Sequence, residues 1–122
     1  MAERISDAEH AVMEVLWDTA PLSAQDVVER IDSARGWSAN TVKTLLGRLL
    51  AKKVIAHEED GRRYLYRPLV ARGDYLTGES QRLVDRLFGG KLTPLVAHFA
   101  ENDRLTSADI AEIEALLKAL KQ

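Results

Sequence analysis

Apolar positions along the first part of the chain recur with two different periods. Ala8, Ala11, Val12, Val15 and Leu16 repeat at helical spacing and predict one buried stripe. Ser6 with Glu9 three residues on forms a capping box at the start of that helix. Pro21 ends the connection that follows, and Ser23 with Asp26 opens a second helix. Leu22 and Val27 are placed as its hydrophobic staple, and Val27, Val28 and Ile31 are expected to face the core. A short turn around Arg35-Gly36 leads to a third helix, capped by Ser38 and stapled by Trp37 and Val42. Its stripe is Val42, Leu45, Leu46, Leu49 and Leu50, and the pattern runs to about Lys53.

Beyond that helix the period falls to that of a strand. "VIAHEEDGRRYLYRP" predicts two strands around Asp60-Gly61, a dipeptide suited to a type I′ hairpin, with Pro68 ending the second. Three helices and a hairpin, with a short turn between the second and third helices, describe a winged helix-turn-helix. The expected fold is therefore mainly α with a small β-hairpin wing, the winged helix occupying residues 1–70.

Residues 71–122 read as helices only. Asp74 to Phe88, stopped by Gly89-Gly90, carries Leu76, Leu83, Val84, Leu87 and Phe88. Thr93-Pro94 opens another helix, with proline expected at its first position. Leu105 to Ile110 repeat the cap-plus-staple pattern, and Ile110, Ile113, Leu116, Leu117 and Leu120 follow. Three short helices cannot bury this much apolar surface among themselves. The segment either folds back on the winged helix or packs against a second copy.

Composition narrows the class. The 122 residues are 46% hydrophobic and 30% charged, the balance of a globular protein. There is no cysteine, so neither a disulfide framework nor a thiolate metal site can form. "MAERISDAEH" lacks the apolar core of a signal peptide and no apolar run is long enough for a membrane span, so a cytoplasmic location is expected. The net charge of −2 conceals an asymmetry. Residues 1–35 hold three arginines against eight acids, a net −5, and residues 71–122 come to −1. Residues 36–70 carry Lys43, Arg48, Lys52, Lys53, Arg62, Arg63 and Arg67 against Glu58, Glu59 and Asp60, a net +4. An anionic partner for that segment is consistent with this excess.

The third helix shows where such a partner would lie. Asn40, Thr44, Gly47 and Ala51 fall opposite the leucine stripe, with Lys43 and Arg48 on its flanks. In a winged helix this element enters the DNA major groove, where Asn40 can read adenine, Lys43 guanine, and Thr44 a thymine. Ser38 and Thr41 sit where free amides favour a phosphate. Arg48, Lys52, Lys53, Arg62 and Arg63 are expected on neighbouring phosphates. Lys52 and Lys53 are equally expected as ordinary cations at a helix carboxyl end. Gly47 costs about 1 kcal/mol relative to alanine, and a closely approaching groove wall is one reason to accept that. Tyr64 and Tyr66 point to one side of the wing and read as core. Glu58-Glu59-Asp60 reads as a solvated turn.

Enzyme chemistry finds no support: the acids are dispersed, and there is no phosphate-binding glycine loop or nucleophile elbow. His10, His57 and His98 lie far apart in sequence, so no metal or cofactor is expected. Two alternatives remain beside DNA binding. One is a winged helix that docks a protein, and the other is a histidine-based metal-responsive regulator.

"ISDAEHAVMEVLW", "TVKTLLGRLLAKKVI", "GRRYLYRP" and "LVAHFAEN" with a last amphipathic helix resemble the BlaI/MecI/CopY family of bacterial repressors along nearly the whole chain. The resemblance implies a homodimer that binds a palindromic double-stranded DNA operator and represses resistance or stress genes. It implies DNA contacts at Thr41, Thr44, Arg48, Arg62 and Arg63. Asn40 and Lys43 fall where the family varies, and part of the operator choice is assigned to them. Residues 71–122 become a helical dimerisation domain, with Leu83, Leu87, Phe88, Leu95, Phe99, Ile110, Ile113, Leu117 and Leu120 at the interface. Copper-responsive members carry a cysteine pair that is missing here, which rules out that switch. In the β-lactam branch a sensor-linked protease cuts an Asn-Phe bond in the fifth helix. The corresponding pair here is His98-Phe99.

Overall fold

Helix α1 (Asp7–Asp18) starts where its capping box dictates. The Ser6 hydroxyl accepts from the Glu9 amide at 3.1 Å, and the Glu9 carboxylate accepts from the Ser6 amide at 2.6 Å. The structure, a computed structural model, describes residues 4–122. Met1, Ala2 and Glu3, part of the stretch read for a signal peptide, lie outside the described residues. The chain divides into two compact units, the first ending at Leu76 and the second being Thr77–Gln122.

In the first unit α1 is followed by strand β1 (Leu22–Ser23), α2 (Ala24–Arg30), a 3-10 turn (Ser33–Arg35) and α3 (Ala39–Ala51). Ser23 and Asp26 form the second capping box, with both bonds at 3.1 Å. Helix α3 stops at Ala51, two residues before Lys53. Lys53 adopts φ 63°, and the Lys53 and Val54 amides donate back to the Leu50 and Leu49 carbonyls at 3.0 and 3.2 Å. That is a Schellman stop, here with lysine where glycine usually sits. The core joins Val12, Met13 and Leu16 of α1 to Leu22, Val27, Val42, Leu45, Leu46, Leu49, Val54 and Ile55. Val28, Ile31 and both tryptophans pack around it, partly buried. Glu9 is buried with this set.

The sheet has three strands in the order β1-β3-β2, all antiparallel, with β2 Ile55–Asp60 and β3 Arg63–Pro68. Strand β1 is an addition to the sequence reading. Two residues have no legible period, and Leu22 pairs with Tyr66 as well as being buried. The hairpin turn also moves. Asp60 pairs with Arg63, so the two central residues are Gly61-Arg62 rather than Asp60-Gly61. Gly61 alone of the two has positive φ, at 66°, the pattern of a type II′ turn and not the expected I′. Across this turn the Asp60 carboxylate takes the Arg63 guanidinium at 3.1 Å.

Helix α4 (Arg72–Phe88) begins two residues earlier than its periodicity indicated. Its start is held on α1: the Trp17 indole donates to the Val70 carbonyl at 2.8 Å, Arg72 Nε reaches Glu14 at 3.0 Å, and the Tyr75 ring lies 5.5 Å from that of Trp17. In the second unit α5 spans Leu92–Glu101 and α6 Ser107–Leu120. Pro94 is the third residue of α5 rather than the first. A proline fits there because the first four amides of a helix have no internal acceptor. Thr106 and Asp109 complete a third capping box for α6. Neither α5 nor α6 contains a buried residue.

Candidate nucleic-acid interface

The two faces of α3 separate cleanly. Val42, Leu45, Leu46 and Leu49 are buried, whereas Asn40, Thr41, Lys43, Thr44, Gly47 and Arg48 are all exposed, as is the cap Ser38. The Ser38 and Thr41 hydroxyls lie 3.1 Å apart, and the Ser38 oxygen also accepts from the Thr41 amide at 3.2 Å. Just before this cap, the Arg35 guanidinium stacks 5.0 Å from the centre of the Trp37 ring. A Cβ placed on Gly47 would meet nothing within 4 Å. The chain's own packing therefore gives no reason for a glycine there.

The cations expected on phosphates prove unequal. Lys52 donates to Glu9 Oε1 at 2.6 Å and to the Arg4 carbonyl at 3.0 Å, tying the end of α3 to the start of α1. It is a structural cation, which removes it from the expected contact set. Burial opposes ionisation of Glu9, but Lys52, then the Ser6 amide and hydroxyl, outweigh it and hold the carboxyl below its usual value. Arg63 is partly occupied by Asp60. Lys43, Arg48, Lys53 and Arg62 have no carboxylate partner among the described residues.

The tyrosines also divide. Tyr66 packs against the core, and burial, followed by the neighbouring Tyr64, pushes its phenol above the ordinary 10.0. Tyr64 is 44% exposed, because at the wing tip the same strand face has run past the helices that cover it. His57 of β2 stacks on Tyr64 with ring centres 4.4 Å apart. Between the start of α2, Lys43 and the wing lies a groove of about 510 Å³, lined by Ser23, Ala24, Gln25, Lys43, Arg62, Arg63, Tyr64 and Tyr66. Gln25 escaped the sequence reading, since only the pairing of β1 with β3 carries the start of α2 to the wing. Beside the groove the Ser23 amide and hydroxyl, with weaker help from Arg63 and Arg30, keep Asp26 ionised below its usual value.

His10 stacks on Tyr75, His57 lies on the wing and His98 on α5. Among the described residues no three His, Asp or Glu side chains gather at metal spacing. The His98-Phe99 bond lies inside α5, with Phe99 43% exposed and the His98 carbonyl accepting from Asn102 Nδ2 at 2.8 Å. Of the residues expected at an interface, Leu83, Leu87, Phe99, Ile110, Leu117 and Leu120 are exposed, and Phe88, Leu95 and Ile113 are half-buried.

A third helix with a bare polar side, a helix packed before it and an antiparallel wing beside it define a winged helix-turn-helix protein. The solution structure of the DNA binding domain of the repressor BlaI matches with a TM-score of 0.55 and 33% identity, covering 62% of this chain and 92% of that one. A MarR C80S mutant from E. coli matches at 0.54 with only 17% identity over 97% of this chain and 79% of that one, a likeness of fold alone. The family described as penicillinase repressor matches residues 5–119. The penicillinase repressor of Bacillus licheniformis is 33% identical over 118 residues, 97% of this chain and 92% of the relative. The methicillin resistance regulatory protein MecI of Mammaliicoccus sciuri is 32% identical over 113 residues, 93% and 92% of the two chains. The chain belongs to the penicillinase repressor family, the BlaI/MecI repressors.

Proposed function

We propose that this protein is a transcriptional repressor that binds a palindromic operator as a homodimer. The observation that carries the reading is the exposed face of α3, where Asn40, Thr44 and Gly47 lie with Lys43 and Arg48, cations that have no carboxylate partner among the described residues, while the leucines behind them are buried. A relative supports it: the Bacillus licheniformis BlaI monomeric form was solved in complex with the blaP half-operator, and matches with a TM-score of 0.53 at 33% identity, covering 62% of this chain and 92% of that chain. Asn40 and Thr44 take the base edges. Ser38, Thr41, Arg48, Arg62 and Arg63 take phosphates, which position the helix without specifying sequence.

Residues 71–122 supply the dimer contacts, and two α3 helices then enter successive major grooves about 34 Å apart. The bound dimer occludes promoter DNA in the cytoplasm. Release follows from loss of dimerisation, since a lone winged helix forfeits the effective concentration of the linked second site. Cleavage at His98-Phe99 by a sensor-linked protease is one route to it.

Operator fragments selected from random duplexes provide the test. Arg48→Ala should weaken every sequence and lower the slope of log affinity against log salt by about 0.9. Thr44→Ala should cost about 1 to 3 kcal/mol, mainly at one base position. Duplex binding that is absent or indifferent to salt would overturn the reading in favour of a protein-docking winged helix.

A further inference from the structure

Helix α4 carries the chain from the first unit into the second, and its first turn is fastened to α1 by one crowded joint within the first unit. Glu14 stands at the centre of that joint. Its Oε1 lies 3.0 Å from Arg72 Nε of α4 and 3.1 Å from His10 Nε2, one turn earlier on α1, and its Oε2 lies 3.2 Å from the same Arg72 nitrogen. The His10 ring stacks on Tyr75 of α4 at 5.6 Å and meets Trp17 edge-on at 5.9 Å. His10 Nε2 is buried, and it makes no hydrogen bond among the described residues, since the nearby Glu14 oxygen accepts from Arg72 instead. A buried nitrogen left in this way is costly, and histidine is the side chain whose charge ordinarily changes between pH 5 and 8. Asp7 and Asp74, the next acids along the two helices, are exposed, and Glu14 is the carboxylate that both cations would share.

We infer that this joint is an acid-operated release, in which proton uptake at His10 displaces Arg72 from Glu14 and frees the first turn of α4 from α1. With α4 seated, the proton places a second cation on a carboxylate that Arg72 already neutralises, at a buried nitrogen. With α4 unseated, Glu14 serves the imidazolium alone, because the two residues stand four apart on one helix. The proton therefore binds the unseated form more tightly, and the joint weakens as pH falls. Attraction of the imidazolium to the Tyr75 and Trp17 rings acts the other way. It is weakened because the His10 side chain is 36% exposed, whereas the nitrogen facing Glu14 is sealed. In the dimer proposed above, α4 joins each winged helix to the dimer contacts, so a freed α4 root loosens the spacing of the two α3 helices and weakens the operator complex. That consequence rests on the repressor reading, and the release itself does not.

The Trp17 indole N–H, which donates to the Val70 carbonyl at 2.8 Å just ahead of α4, reports on the joint directly. Its hydrogen-exchange protection, corrected for intrinsic exchange, is measured by NMR on the full chain at pH 7.5 and 5.5. Protection should fall about threefold to fivefold in the unmodified protein, the size of a partly exposed charge coupling. It should stay constant in His10→Gln, which cannot take up the proton, and in Arg72→Gln, which has no cation to displace. Constant protection in the unmodified protein overturns the release, and so does an equal fall in either variant. Affinity for the selected operator is then compared between the unmodified protein and His10→Gln, so that protons bound elsewhere cancel. The ratio should turn against the unmodified protein by a similar factor at pH 5.5. A ratio independent of pH, with the indole responding as expected, overturns the effect on the operator. Failure of the unmodified protein to bind any duplex removes the repressor reading, and the indole measurement still decides the release.

Discussion

At the scale of single residues, the pair formed by Glu9 and Lys52 shows how position decides what a charge does. The Glu9 side chain is 2% exposed and that of Lys52 24%. Removing either partner therefore has unequal consequences. Lys52→Met strands a buried carboxylate and should cost about 3 to 5 kcal/mol in urea unfolding. Glu9→Gln leaves an ammonium that can turn to water, and its cost should stay at about 1 to 2 kcal/mol. Equal losses would show that the ammonium is as trapped as the acid. Because the folded state lowers the Glu9 pKa, its stabilisation is present above the ordinary 4.5 and disappears as pH falls below it. An acid unfolding series should show a shallower low-pH decline for Glu9→Gln than for the unmodified protein.

At the scale of the element, α3 accepts a weakness that its own fold does not require. Gly47 sits in the interior of the helix with open space where a methyl would go. Gly47→Ala should therefore stabilise the protein by about 1 kcal/mol. The same methyl should lower duplex affinity, because it stands on the face proposed to meet the groove wall. Thermal unfolding and binding measured on one preparation separate the two effects. A stabilised variant with unchanged affinity would place the duplex away from Gly47. The capping boxes of α1, α2 and α6 and the leucine stripe of α3 were legible because caps and stripes act within one or two helical turns. Strand β1 was not, since it exists only through β3, whose Tyr66 lies far along the chain from Leu22.

At the scale of the whole molecule, the apolar surface of the second unit sets the expected state of association. Leu87, Leu116 and Leu120 are 57%, 65% and 81% exposed, on helices without a buried residue. Exposed apolar surface of this extent marks an interaction site, and a second copy is the occupant proposed above. Sedimentation equilibrium should give twice the chain mass of 13.6 kDa at micromolar concentration. Leu117→Asp with Leu120→Asp should return it to the single-chain mass and weaken operator binding while leaving the first unit folded. A stable monomer in the unmodified protein would contradict the dimer.

From its sequence alone the chain determined where the capped helices α1, α2, α3 and α6 start, which side of α1 and α3 is apolar, and that its positive charge gathers between residues 36 and 70. Those properties follow from hydrogen bonds and spacings a few residues long. Only the tertiary structure decided which of those cations remain available to a partner. Lys52 is claimed by a carboxylate 43 positions away, whereas Lys43 and Arg62 have no carboxylate partner among the described residues. The difference lies in which acids the packing of α1, α2 and the wing brings within reach, and no local pattern in the chain carries that distance.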